Sequence, residues 1–292
     1  MTIFSRRRFL ADTARAGVAA LIAPALPRVV RALPAVGPAG IQLYAVKDSL
    51  AADPAATLRR IREIGFREVE TAGMAGLEPA EFRRLLDDSG LAAPSAHLDF
   101  SDPGAAFGQA HALGAQYAAS GSLRGLIPGT RSGGMTLDEA QRTAALANRL
   151  GEQARAAGLQ YVYHNHNFEF AAAGDGTGYD VLLAGTDPVL VQFEIDCGWM
   201  VLGGRNPRDY FERFPKRFPM IHVKDFLPAA RGATTEYPGA ELGHGMIDYR
   251  PIFAAAEKAG LRHYFAEQEG PFTRMSQLEA ARQAFAYLKR LR

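Results

Sequence analysis

Tyr161-Val-Tyr-His-Asn-His-Asn-Phe-Glu-Phe170 decides how this chain folds. It follows Ala157-Gly158, a helix-stop signal, and opens with the aromatic and β-branched residues of a strand. It then turns polar, with His164, Asn165, His166, Asn167 and Glu169 inside six positions. Successive side chains of a strand point to opposite faces. Tyr161 and Tyr163 therefore share one face, and Val162, His164 and His166 share the other. With the tyrosines against a helix, both imidazoles point the opposite way. Two histidines at that spacing can bind a metal, relay protons or hydrogen-bond a polyol. The plainer alternative is a polar strand end held by backbone carbonyls.

Working outward, one rhythm fills the chain after Pro38: a short apolar strand, then an amphipathic helix. Strands are expected at 40–46, 66–71, 92–98, 116–120, from 161, and at 189–196, 219–224 and 263–267. Helices are expected at 53–65, 78–89, 102–113, 137–157, 179–184, 207–214, 249–259 and 275–290. Asp53 can cap the first of these and Pro54 fits its first turn. Eight strand-helix units in about 250 residues have the dimensions of a (β/α)8 barrel. The fold class is thus α/β, a single TIM barrel over residues 38–292. A doubly wound sheet is the alternative, but no Gly-x-Gly-x-x-Gly turn or phosphate loop follows the first strand.

The formal charge of +2 conceals an asymmetry, because residues 1–32 hold six Arg and one Asp. The remainder carries 27 Lys and Arg against 30 Asp and Glu. So mildly acidic a body gives no electrostatic case for nucleic acid. Ser5-Arg-Arg-Arg-Phe-Leu10 resembles a twin-arginine export motif, and an uncharged run from Ala16 to Leu26 follows. That run is too short to span a bilayer, which argues against stable membrane insertion. Residues 1–35 are therefore expected to be a twin-arginine signal peptide. Cleavage would fall near Val30-Arg31-Ala32 or Leu33-Pro34-Ala35. The Tat translocon would be a transient partner and the periplasm, or another exported location, the destination. A basic N-terminal helix of a cytosolic protein is the alternative. The single cysteine, Cys197, forms no intrachain disulfide in an oxidising compartment, and its parity, opposite to Asp196, makes it a small buried apolar residue.

Active sites of such barrels lie at the C-terminal ends of the strands. Each strand here carries polar residues late and with one parity: Gln42 and Tyr44, Glu68 and Glu70, Ser95 and His97, His164 and His166. The sixth is clearest, where Gln192, Glu194 and Asp196 alternate with Val191, Phe193 and Ile195. His222 and Lys224 follow on the seventh strand, Glu267 and Glu269 on the eighth. Unpaired carboxylates gathered on one rim would cost of order several kcal/mol in repulsion and lost hydration. A divalent cation relieves that cost, and mixed His and carboxylate donors suit Mn, Zn, Co or Fe better than Ca.

Several strings together resemble the sugar phosphate isomerase/epimerase family, the xylose isomerase-like TIM barrels. They are Ile41-Gln-Leu-Tyr44, Tyr163-His-Asn-His-Asn-Phe-Glu-Phe170, Glu194-Ile-Asp196 with Trp199, Ile221-His-Val-Lys-Asp225, Gly243-His-Gly245 and Glu267. The resemblance implies one divalent metal held from the fifth to eighth strands, with Asp196, His222 and Glu267 as three ligands. Ketose epimerases of the family have a Glu on the fifth strand, and this chain does not. His164 or His166 takes its place, or Glu169 reaches back from the loop. Shared inward parity favours a histidine, and His164 is assigned to the metal.

The implied substrate is a keto-sugar, an inosose or a related polyol. Glu267, or a histidine of the pair such as His166, would remove the proton alpha to its carbonyl, and Lys224 would stabilise the oxyanion. Proton return gives an isomerase or epimerase, the first expectation; loss of a β-substituent gives a lyase or dehydratase, the alternative. Gln42, Glu70, His97, Glu169, Trp199, Lys224 and His244 are expected to bind substrate. Arg124, Arg131 and Arg205 sit in separate loops and make no phosphate cradle, which favours an unphosphorylated sugar. A non-catalytic sugar-binding barrel is the rival class, and a DNA-repair nuclease is disfavoured by the acidic body. The segment from Leu227 to Gly243 is either a lid or a dimer contact of a homo-oligomer.

Overall fold

The computed structural model describes residues 36–130, 133–228, 238–270, 272 and 274–291. The expected signal peptide and most of the expected lid, residues 229–237, lie outside the described residues. Eight strands close a barrel: β1 (Gly40–Gln42), β2 (Glu68–Ala72), β3 (Ala92–His97), β4 (Tyr117–Ser120), β5 (Gln160–His164), β6 (Val191–Asp196), β7 (Met220–Val223) and β8 (His263–Ala266). Each pairs in parallel with its sequence neighbour, and β8 closes on β1. The following helices are α1 (Pro54–Ile64), α2 (Pro79–Ser89), α3 (Pro103–Leu113), α4 (Leu137–Ala156), α5 (Gly178–Gly185), α6 (Pro207–Arg213), α7 (Tyr249–Ala259) and α8 (Gln277–Leu291). This is the (β/α)8 barrel that the rhythm of the sequence predicts.

Helix starts follow local chemistry. Asp53 accepts the Ala56 N–H at 2.9 Å and Asp102 that of Ala105 at 3.1 Å, each before a proline in the first turn. No described helix is long and apolar enough to cross a membrane.

Two strand ends depart from expectation and an unexpected helix follows a third strand, each because a side chain captures a backbone N–H. The first strand stops at Gln42, whose side-chain oxygen accepts the Tyr44 N–H at 3.1 Å and turns the chain into a 3-10 helix, Leu43–Val46. The fifth ends at His164, because Glu169 reaches back to the His166 N–H at 3.0 Å and folds Phe168–Phe170 into a 3-10 turn. After β6, Asp196 accepts the Trp199 N–H at 2.8 Å and starts an unexpected short helix, Cys197–Leu202.

Strand alternation sorts the core. Tyr161, Tyr163, Phe193 and Ile195 face outward into the large core shared with the helices. Cys197, as expected, is fully buried in that core. The inward parity carries Tyr117, Ala119, Val162, Met220 and Phe265, a compact apolar plug inside the barrel. Phe265 lies edge-on to His222 at 6.2 Å, so the plug forms the floor of the polar layer above it. Polar side chains toward the C-terminal ends of the strands thus rest on a dry base, where electrostatic interactions are strong.

Candidate active site

Strand register assembles the polar layer. Gln42 is level with Glu70 and Glu70 with Ser95; His164 is level with Glu194, and Asp196 with His222. Four of the seven histidines, His97, His164, His166 and His222, come together here from β3, β5, the turn after β5, and β7. Such convergence is not produced by one polar strand end, so the plainer reading of the 161–170 stretch fails.

Glu70 is the anchor of the layer. It is fully buried and accepts bonds from Gln42 Nε2 at 2.8 Å and Ser95 Oγ at 2.5 Å, with His222 Nε2 at 2.6 Å. His222 is held at both ring nitrogens, since its Nδ1 lies 2.8 Å from Glu267 Oε2. Glu194 Oε2 meets His97 Nε2 at 3.0 Å and His164 Nδ1 at 3.1 Å. Lys224 carries its ammonium to Asp196 at 3.0 Å, Glu267 at 2.9 Å and Glu269 at 2.5 Å, and lies 4.9 Å above the Trp199 ring.

These neighbours set the charge states. Burial opposes charge on His222, but Glu194, Glu267 and Glu70 hold its pKa well above the usual imidazole value. Burial likewise opposes charge on His97, and Glu70 and Glu194 lift it to about 10. Against burial, Lys224 and His222 keep Glu267 well below the carboxylate range, while His222 and His164 do the same for Glu194. Lys224 is raised because Asp196, Glu267 and Glu269 outweigh its burial. His166 goes the other way: burial, and then His164, push it down to about 3, so its ring is neutral. Five carboxylates therefore face one ammonium and two protonated imidazoles, and the cluster is short of positive charge.

Above this layer opens a cavity of about 280 Å³ lined by Gln42, Tyr44, Ala72, His97, His164, His166, Lys224, Glu267 and Glu269. Two groups of donors below it could hold a cation: Asp196, His222 and Glu267; and His97, His164, Glu194 and His222. Ligand atoms within each group lie within 4.8 Å of one another. Glu194 Oε1 and Asp196 Oδ2 are buried without a hydrogen-bond partner among the described residues; the latter lies near the Lys224 ammonium but off its bonding direction. Buried donors with unused lone pairs and a deficit of positive charge fit a divalent metal.

Most residues singled out in the sequence meet here. Gln42, His97, His164, His166, Lys224 and Glu267 line the cavity; Glu70, Asp196 and His222 lie beneath it; Trp199 flanks it, 6.2 Å from His166. His164 pairs with Glu194 rather than joining the group of Asp196 and Glu267. Two expected substrate contacts are not brought to the cavity. Glu169 is fully buried behind β5, where it accepts the Tyr163 hydroxyl at 3.0 Å besides the His166 N–H. His244 is exposed on its loop, with its N–H on the Glu241 carbonyl.

Four contributors went unassigned in the sequence. Glu269 is signalled by inward parity alone, and Glu194 by parity and by its place in the Glu194-Ile-Asp196 string. Asn165 clamps β5 to β6 through both backbone groups of Asp196, at 3.0 and 3.2 Å. Asp225 accepts the N–H groups of Phe226, Gly243, Gly245 and Ile247, fixing the loop beside Lys224.

Comparison with known proteins agrees with this architecture. A family model described as a xylose isomerase-like TIM barrel matches residues 58–291. The chain is 33% identical over 175 residues to an inosose dehydratase of Lacticaseibacillus casei, covering 52% of this chain and 55% of that protein. It spans about half the length of the curated relatives it matches. Its fold superposes on a sugar phosphate isomerase/epimerase from Parabacteroides distasonis ATCC 8503 with a TM-score of 0.72 at 26% identity, covering 87% of this chain and 98% of that one. A xylose isomerase-like TIM barrel protein from Mycobacterium smegmatis in complex with magnesium shares the fold, with a TM-score of 0.62 at 21% identity over 87% of this chain and 96% of that one. From barrel, register and matched sequence alike, this chain belongs to the xylose isomerase-like TIM barrel family.

Proposed function

We propose that the protein is a metal-dependent enzyme that removes the proton alpha to the carbonyl of a keto-sugar or keto-polyol and then expels a β-hydroxyl as water. The observation that carries this reading is that the carboxylates of the cavity, Glu267 and Glu269, both come from the end of β8, on one wall. Glu267 lines the cavity, ionised by Lys224 and His222, while the fifth-strand position offers His164, tied to Glu194. An epimerase of the two-carboxylate type needs a second carboxyl on the other face of the substrate to return the proton. Loss of water from one face needs only one: Glu267 accepts the α-proton, the β C–O bond breaks, and the same carboxyl hands its proton to the departing hydroxide. The inosose dehydratase name of the curated relatives supports the same subtype. Isomerase or epimerase chemistry is the second reading, favoured by the name of the Parabacteroides neighbour.

Asp196, His222 and Glu267 would hold the divalent metal, of the Mn, Zn, Co or Fe group. Bound there, it would supply Lewis acidity to the substrate carbonyl. Lys224 offers a fixed ammonium to the developing oxyanion, a role that a low-dielectric site strengthens. Neutral His166 can accept a hydrogen bond from a substrate hydroxyl. Gln42 and His97 supply donors on the opposite wall, and Trp199 a flat apolar face at the edge.

Metal content and turnover together test this reading. Elemental analysis of the mature protein is compared with His222→Ala and Asp196→Ala, and the wild type is offered inososes and 3-keto-sugars in deuterated water. Expected are a bound transition metal lost in both variants, and water loss accompanied by exchange of the α-hydrogen, abolished in Glu267→Gln. A wild type that exchanges nothing and binds sugars unchanged would establish a binding barrel instead; proton exchange with an epimeric product would establish the second reading. We also propose export through the twin-arginine route, to be checked by fractionation of cells expressing the full chain and its Arg6→Lys, Arg7→Lys double variant.

A further inference from the structure

We infer that the barrel holds a second, inner cation site, formed by His97 Nε2, His164 Nδ1 and Glu194, with Glu194 one inward position before the Asp196 of the site assigned to catalysis. The ligand class is a transition-metal dication such as Zn, Co or Fe(II), because two imidazoles and one carboxylate form the donor set.

Separation of the donors is the first ground. Metal bonds of about 2.0–2.2 Å place adjacent donors roughly 3 Å apart in a tetrahedral or octahedral shell. Glu194 Oε2 lies 3.0 Å from His97 Nε2 and 3.1 Å from His164 Nδ1. The rings of His97 and His164 meet at 4.9 Å and 66°, which aims two nitrogens at one oxygen from different sides.

A second ground is independent of spacing. Glu194 is completely buried, and its other oxygen, Oε1, has no hydrogen-bond partner among the described residues. A buried carboxylate oxygen left unsatisfied has given up its hydration with no bond in return. Its neighbour Glu70 is equally buried but has partners on both oxygens, Ser95 on Oε1 and Gln42 on Oε2. The contrast between two carboxylates in one layer marks Glu194 as the one with unused ligand capacity. Entry is open, because both His97 and His164 line the mouth cavity.

His222 reconciles the two sites. Its Nδ1 faces Glu267 at 2.8 Å and its Nε2 faces Glu70 at 2.6 Å. A neutral imidazole has one lone pair and one N–H. With Nδ1 serving the outer ion, Nε2–H remains on Glu70, so the inner ion takes His97, His164 and Glu194 without competing for the ring. Glu70 thereby acts as the carboxylate that orients a metal-bound histidine.

Cobalt(II) titration of the metal-free full-length protein tests the inference, using elemental analysis and the X-ray absorption of bound cobalt to count imidazoles. The wild type is expected to bind about two equivalents. His97→Gln and Glu194→Gln each lose one, and the ion remaining in Asp196→Asn carries at least two imidazole ligands. A wild type that binds one equivalent with one imidazole, lost in Asp196→Asn and retained in His97→Gln and Glu194→Gln, overturns the inner site and leaves the proposed function standing. The wild-type imidazole count decides the matter even where a variant fails to fold, and binding of no cobalt overturns both assignments.

Discussion

Lys224→Met probes the electrostatics of the site most directly. Methionine keeps much of the side chain's volume and removes an ammonium lying 3.0 Å from Asp196, 2.9 Å from Glu267 and 2.5 Å from Glu269. Breaking a buried ion network by deleting one partner costs about 3–5 kcal/mol. The Glu269 side chain is 35% exposed, so solvent screens its share and the expected loss lies at the lower end, about 3 kcal/mol.

With a urea dependence of about 3 kcal/mol per molar, the unfolding midpoint falls by roughly 1 M. Fluorescence of Trp199, the only tryptophan, reports the transition from within the site. The pH dependence has a definite sign. Glu267 is depressed, so its contribution is present above its ordinary value of 4.5 and is lost as pH falls through the lower folded value. Lys224 is raised, so its contribution is present below its ordinary value of 10.5 and is lost as pH rises through the higher folded value. The gap between variant and wild type should therefore be flat across neutral pH and close in acid. A midpoint at pH 7.5 within about 0.2 M of wild type would refute the claim that Lys224 neutralises these carboxylates.

Other outcomes follow from residues around the site. Burial raises Glu169 to about 8 against an ordinary 4.5, so the folded chain keeps a proton that the unfolded chain releases, and wild-type stability falls as pH rises across that window. Glu169→Gln should flatten this slope, which reaches at most about 1.4 kcal/mol per pH unit; thermal melts from pH 5 to about 8 that keep the wild-type slope would count against it. Asp225→Ala removes the acceptor of four backbone N–H groups and should cost about 3 kcal/mol, with faster hydrogen exchange at Gly245 and Ile247. At Gly245 a Cβ would collide with Asp225 Oδ1 and the Phe226 carbonyl, so Gly245→Ala should lower the melting temperature by several degrees, as about 2 kcal/mol does in a domain of this size.

The sequence by itself determined the barrel and the inward-facing set. Strand alternation and helix stops are local signals, repeated eight times, and a closed parallel sheet is the arrangement that buries one face of every strand against helices. On each strand, polar parity therefore named Gln42, Glu70, His97, His164, Asp196, His222, Lys224 and Glu267 without any knowledge of their partners.

The partners were decided only by tertiary structure. Which carboxylate meets which imidazole depends on strand register and barrel stagger, set by packing across the whole sheet rather than by spacing along the chain. Register pairs His164 with Glu194, gives Asp196 and Glu267 to Lys224, and divides the donors into two groups about His222. Side chains that bond backward to backbone, Gln42 and Glu169 above all, end strands where composition alone would continue them. That is why Glu169, polar and close to two histidines in sequence, lies behind the barrel wall instead of in the cavity: a buried carboxyl was required there to satisfy the Tyr163 hydroxyl and the His166 N–H.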